Sequence, residues 1–134
     1  MTVSERGAVR DLVAYTQPKN YTKLRYGKIS PTDIDLFLDF GNKAFVFLEL
    51  KHYAVRMPDG QRLGLERLCD GCGRSAILLL AIHANTSTEM VQVHELNVEK
   101  YRYKKAWHTP KEPITVKEAI DGFAAKFGYE GNVA

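Results

Sequence analysis

Two short runs of alternating apolar residues, 34–40 and 44–50, meet at a Gly41-Asn42 turn, and acids stand at the far end of each. The first is entered through Pro31-Thr32-Asp33-Ile34-Asp35, and the second closes on Phe47-Leu48-Glu49-Leu50-Lys51. Residues two apart in a strand share a face. The even positions Ile34, Leu36, Leu38, Phe40, Ala44, Val46, Leu48 and Leu50 therefore make one continuous apolar surface. Asp33 and Asp35 point one way, and Glu49 and Lys51 point together from the partner strand. Ionised groups at the ends of strands this apolar are costly unless paired or metal-bound. The hairpin thus constrains fold and chemistry together.

A chain of 134 residues is sized for a single domain, 1–134, with a real core, and 45% hydrophobic content argues against disorder. No apolar run reaches membrane length; the longest, Ala76 to Ile82, suits a buried strand. The start Met-Thr-Val-Ser-Glu lacks the basic-then-apolar order of a signal peptide, so a cytoplasmic protein is the expectation. Net charge is only +3, but the basic residues cluster. Lys19, Lys23, Arg25 and Lys28 interleave with Tyr21 and Tyr26. Lys100, Arg102, Lys104 and Lys105 interleave with Tyr101, Tyr103 and Trp107. Cations beside aromatic rings suit phosphates and stacked bases, and they equally suit a solvated strand edge.

Thr2 with Glu5 reads as a capping box that opens a first helix bearing Val9, Leu12 and Val13, ended by Gln17-Pro18. Strands follow over about 32–40 and 44–52, then a helix over about 60–72 with Asp59 as its N-cap. Gln61, Leu65, Leu68, Cys69 and Cys72 form the inward stripe of that helix. Further strands are expected at about 76–83 and 89–98, with 101–113 irregular or partly extended. Thr115 and Glu118 make a second capping box for a last helix, with Val116, Ala119, Ile120, Phe123 and Phe127 buried and Gly128 as its stop. The order α-β-β-α-β-β-α describes an α/β domain around a central mixed sheet of about four to five strands flanked by helices.

Hydrolysing a phosphodiester requires neutralised phosphate charge and a water made nucleophilic near neutral pH. Carboxylates holding Mg²⁺ or Mn²⁺ provide both. A lysine two residues beyond a ligand orients the attacking water or balances charge in the transition state. Asp35, Glu49 and Lys51, supported by Asp33, have this chemistry, and the carbonyl of Leu50 offers another oxygen ligand.

Asp33-Ile34-Asp35 followed by Glu49-Leu50-Lys51 resembles the signature of the PD-(D/E)XK nuclease superfamily, in particular its small resolvase-like and RecB-type members. The resemblance spans the first helix to the third strand, and nothing beyond residue 98 is recognised. It implies a restriction-endonuclease-like core and a metal-dependent endonuclease acting on double-stranded or branched DNA. It implies Asp35 as principal metal ligand with Asp33 auxiliary, although Pro31 followed by an Asp favours Asp33. It also implies Gln61 facing the site and Glu5 of the first helix in the metal shell, where the capping box competes for Glu5. Lys23, Arg25, Lys28, Arg62, Arg102, Lys104 and Lys105 would then hold the nucleic-acid backbone. By analogy with small resolvase-like nucleases, the chain would be a homodimer of phage or mobile-element origin, working in recombination, repair or genome processing in the host cytoplasm.

Cys69-x-x-Cys72 is half a zinc knuckle, but His52, His83, His94 and His108 are scattered and both cysteines fall on an apolar stripe. His52 reads as a packed histidine. No G-x-S-x-G elbow and no Walker loop is present. The rival reading is a non-catalytic nucleic-acid-binding or assembly module on the same fold.

Overall fold

The computed structural model describes residues 17–52, 59–84 and 89–129. The expected first helix, with Thr2 and Glu5, lies outside the described residues. The chain divides into two compact units, 1–31 and 32–134. In the first, Thr22–Leu24 form a 3-10 turn, and Tyr26 pairs with Ile29 across Gly27, whose φ is +64°. Lys19, Lys23, Arg25 and Lys28 are all exposed there.

The second unit is an α/β fold. Strands β1 (Leu36–Asp39), β2 (Phe45–His52), β3 (Ala76–His83), β4 (Val98–Tyr103) and β5 (Ala106–His108) form one sheet in sequence order. Helix α1 (Asp59–Gly71) links β2 to β3, and α2 (Val116–Lys126) follows the sheet. β2 and β3 run parallel, as a helical crossover requires, and the other pairs are antiparallel. Gly41 and Asn42, at φ 62° and 66°, turn β1 into β2, and the Lys43 N–H donates back to the Phe40 carbonyl at 3.1 Å.

Strand parity sorts two cores onto the two faces. Even residues of β2 (Val46, Leu48) and odd residues of β3 (Ile77, Leu79, Ala81) pack against Val116 and Phe123 of α2. Phe47 and Leu78, on the opposite face, pack against Leu65 and Cys69 of α1. The hairpin's apolar surface is therefore the floor of the α2 layer, and the side that carries Glu49 and Lys51 is covered by α1.

Two expected strands differ. β1 begins at Leu36, so Asp33 and Asp35 stand in the chain just before the ladder and not within a strand over 32–40. The fourth strand lies at Val98–Tyr103 and not at 89–98, where Val93–Glu95 form a 3-10 turn. Its alternation of Lys100 and Arg102 with Tyr101 and Tyr103 hides it, because one face is polar and the other aromatic. A register shift opposite Leu80 and Ala81 lets Val98 and Tyr101, three residues apart, both reach the α2 side.

The capping box of α2 is present: the Glu118 N–H donates to Thr115 Oγ1 at 3.1 Å, and Thr115 N–H to Glu118 Oε1 at 3.0 Å. A Schellman motif closes that helix at Gly128 (φ +82°), with Tyr129 N–H donating to the Ala124 carbonyl and Gly128 N–H to that of Ala125.

Candidate active site

β2 and α1 build the site between them. Glu49 is the first polar residue after Phe47 on the α1 side of β2, and parity carries it inward to 2% exposure. Gln61, in the first turn of α1, comes down over it. Gln61 Nε2 donates to Glu49 Oε1 at 2.8 Å, and Lys51 Nζ lies 2.9 Å from the same oxygen. Lys51 Nζ also donates to Gln61 Oε1 at 2.9 Å. Carboxylate, ammonium and amide thus form a closed triangle. The amide orientation follows from charge, since its oxygen must face the ammonium and its NH₂ the carboxylate.

Asp35 completes the arrangement from the neighbouring chain segment. Leu36 pairs with Leu48, so one further step of the same register sets Asp35 opposite Glu49. Asp35 Oδ2 accepts the Leu50 N–H at 2.7 Å. Burial pushes the Glu49 carboxyl up, Lys51 pulls it down, and the negative field of Asp35 raises it further; the net direction is upward. Gln61 lowers it least.

Glu49 Oε2 is the unusual atom. It is buried and has no hydrogen-bond partner, although buried carboxylate oxygens are rarely left so. An orphaned, inward carboxylate oxygen in the negative field of a second carboxylate suits a divalent cation. Among the described residues there is no group of three or more His, Cys, Asp or Glu that would hold one. Mg²⁺ commonly takes only one or two carboxylates and keeps several waters, so Asp35, Glu49 and the Leu50 carbonyl form a donor set of the right kind.

The remaining expected residues separate. Asp33 is exposed in the approach to β1. Glu5 lies outside the described residues. Lys23, Arg25 and Lys28 belong to the first unit, where Arg25 Nε donates to the Gly27 carbonyl at 3.1 Å. Lys104 and Lys105 are exposed at the β4–β5 turn. Arg102 is engaged within the molecule: Nε and Nη2 hold Asp70 at 2.9 and 2.8 Å. Arg62 Nη1 pairs with Glu66 Oε1 at 2.9 Å, and Trp107 Nε1 donates to that oxygen at 2.6 Å. The sequence reading missed this network, although the Arg62–Glu66 spacing of four on a helix announces such a pair. Cys72 is exposed and Cys69 is buried, its thiol pushed by burial up to about 12.

Phe37 also belongs to this face. It is half exposed on the edge strand and stacks on Phe47, with centroids 5.1 Å apart, next to the Asp35 and Glu49 positions. Comparison of the chain with protein-family models, with curated proteins and with solved structures found no match. No helix among the described residues is long and apolar enough to cross a membrane.

Proposed function

We propose that this chain is a Mg²⁺- or Mn²⁺-dependent endonuclease of the PD-(D/E)XK type that hydrolyses DNA phosphodiester bonds. The observation that carries the reading is the Glu49 carboxylate, with Oε1 fixed by Lys51 and Gln61 and Oε2 buried without a partner opposite Asp35. The restriction-endonuclease-like core, DNA as substrate and a homodimer cutting both strands belong to the same proposal.

When bound by Asp35, Glu49 and the Leu50 carbonyl, a divalent ion supplies phosphate-charge neutralisation and acidifies water. Lys51 then has two roles that its geometry permits. Its ammonium orients Glu49 and offsets part of the burial that raises its carboxyl, and its charge would offset the charge gained by the phosphoryl oxygens. Gln61 fixes both neighbours at once and keeps the lysine from rotating away. The first turn of α1 brings its positive dipole end to the same place, which favours a phosphate there.

The second reading is a non-catalytic nucleic-acid module on this fold, favoured by the absence of a three-ligand cluster among the described residues. Incubation with supercoiled and branched DNA in Mg²⁺ or Mn²⁺ separates the two. Nicking or linearisation that EDTA stops supports the nuclease. DNA binding retained without cleavage in either metal supports the module.

A further inference from the structure

The β4–β5 turn carries Lys104 and Lys105 at φ 53° and 65°, both left-handed. A two-residue hairpin loop with both centres left-handed is the mirror-image turn that Asn-Gly fills without strain. Lysine at both positions is conformationally unfavourable, and such strain gathers where a ligand is gripped. The turn does not end in open solvent. Lys104, Lys105 and Arg74 line a cleft of about 240 Å³ with Gly73, Asp70 and Cys69.

Charge in this cleft is unbalanced. Asp70 is held by both guanidinium donors of Arg102, which is turned to the same carboxylate from β4. Lys104 contributes its backbone turn and not its charge: its Nζ lies 5.4 Å from the centre of the Tyr103 ring, which packs against Phe123 on the α2 side of the sheet. Among the described residues, neither Arg74 nor Lys105 has an ion pair within 4.0 Å. The carboxylate that lines the cleft is thus held from behind by Arg102, with Lys105 adding to its stabilisation, and Arg74 and Lys105 are the cations left to the space.

We propose that this cleft is a phosphate-binding site, in which Arg74 and Lys105 hold one phosphoryl group beside the strained Lys104–Lys105 turn. A guanidinium and an ammonium group at a small concavity match a compact tetrahedral oxyanion. The phosphate belongs either to a polynucleotide backbone or to a free phosphorylated molecule. The site stands at the C-terminal end of α1, whereas Gln61 and Glu49 stand at its start. Gln61 and Asp70 stand nine residues apart on that helix, about 14 Å at 1.5 Å rise, so the cleft is a second anchoring point and no part of the candidate active site.

The test uses the whole chain in EDTA, which makes its result independent of whether Glu49 is catalytic. Amide spectra are titrated with inorganic phosphate and with pyrophosphate, and a 20-base-pair duplex is followed by anisotropy across a salt series. Two variants are compared with wild type: Arg74→Gln, and Lys104→Asn combined with Lys105→Gly. The expected result is movement of the Gly73, Arg74, Lys104 and Lys105 amides in wild type, lost in both variants. The double variant should also melt about 3–8 °C higher, because its turn is relaxed. If a backbone phosphate is the occupant, the double variant lowers the slope of log affinity against log salt by about 1 and weakens binding at least tenfold. If a free phosphorylated molecule is the occupant, pyrophosphate binding is lost and the duplex slope stays unchanged. The proposal is overturned if both variants bind phosphate, pyrophosphate and duplex as wild type does. It is overturned equally if poly-glutamate, and no phosphate compound, shifts these amides.

Discussion

Asp35 Oδ2 accepts the backbone N–H of Leu50 at 2.7 Å, across fifteen residues of sequence. The bond lies one step beyond the last pair of β1 and β2 and acts as an extra rung, with a side chain in place of a backbone carbonyl. It fixes Asp35 opposite Glu49; Asp35 and Asp33 are both exposed, and the bond to Leu50 is what sets Asp35 apart. Under the nuclease proposal, Asp35→Ala is expected to reduce kcat at least 100-fold, and Asp33→Ala less than about tenfold. Supercoiled-plasmid cleavage under single-turnover conditions measures both. Equal activity of Asp35→Ala and wild type overturns the choice of ligand.

The Lys51–Gln61–Glu49 triangle makes a graded prediction. Glu49→Ala and Lys51→Ala should abolish cleavage with circular dichroism unchanged. Gln61→Leu preserves volume and deletes two hydrogen bonds to charged partners, each worth about 1.5–3 kcal/mol. Its rate should fall by about 10- to 100-fold, and its pH–rate profile should shift upward, because Glu49 then loses a hydrogen bond that lowers its carboxyl. An unchanged pH profile in Gln61→Leu would place the amide outside the chemistry.

Glu49 allows a test of metal binding that needs no turnover. Burial raises its pKa above the ordinary 4.5, so the native state holds the proton more tightly than the unfolded chain. Stability from this group is complete below pH 4.5 and falls as pH rises through the raised value. In EDTA at pH 7, Glu49→Gln should therefore melt at or above wild type. Saturating Mg²⁺ should reverse the order: at 100 times Kd it stabilises wild type by about 2.7 kcal/mol and leaves the variant unmoved. Calorimetry with and without Mg²⁺ reads this directly, and an equal Mg²⁺ response in both proteins excludes Glu49 as a ligand.

Local signals carried the elements whose fold depends on near neighbours. β3 matches its apolar run at Ala76–His83, and α2 follows from Thr115, Glu118 and Gly128, whose caps are encoded within a few residues. The Glu49–Lys51–Gln61 triangle was legible because strand parity and the helix start both act locally. The buried face of α1 was less so. Leu68 and Cys72 were expected inward and are exposed, while Glu66 is buried. Glu66 and Asp70 turn inward because Arg102 and Trp107, 32 and 41 residues away in their respective pairs, give them partners. A hydropathy stripe counts such acids as solvent-facing. The same long-range pairing explains why Arg102, read as a phosphate contact, is committed to Asp70.

That network should govern the acid limb of stability. The Trp107 indole is the main group holding the Glu66 carboxyl below its usual range, with Arg62 and Arg102 adding to it, and Arg102 does the same for Asp70. Depressed carboxyls contribute stability above their unfolded values, 4.5 for Glu66 and 3.8 for Asp70, and lose it as pH falls through the lowered native ones. Trp107→Phe keeps the ring and deletes the 2.6 Å bond. It should cost about 1.5–3 kcal/mol at pH 7 and progressively less toward pH 3. Arg102→Met deletes both hydrogen bonds to Asp70, while Glu66 keeps Arg62, and should cost about 3 kcal/mol or more at pH 7. Urea unfolding from pH 3 to 7 measures both, with the variants converging on wild type as the acids protonate. Parallel curves, offset by a constant amount at every pH, would show that α1 is held to β4 and β5 by apolar packing of Leu65, Cys69 and the indole ring, with the ion pairs contributing nothing that titrates.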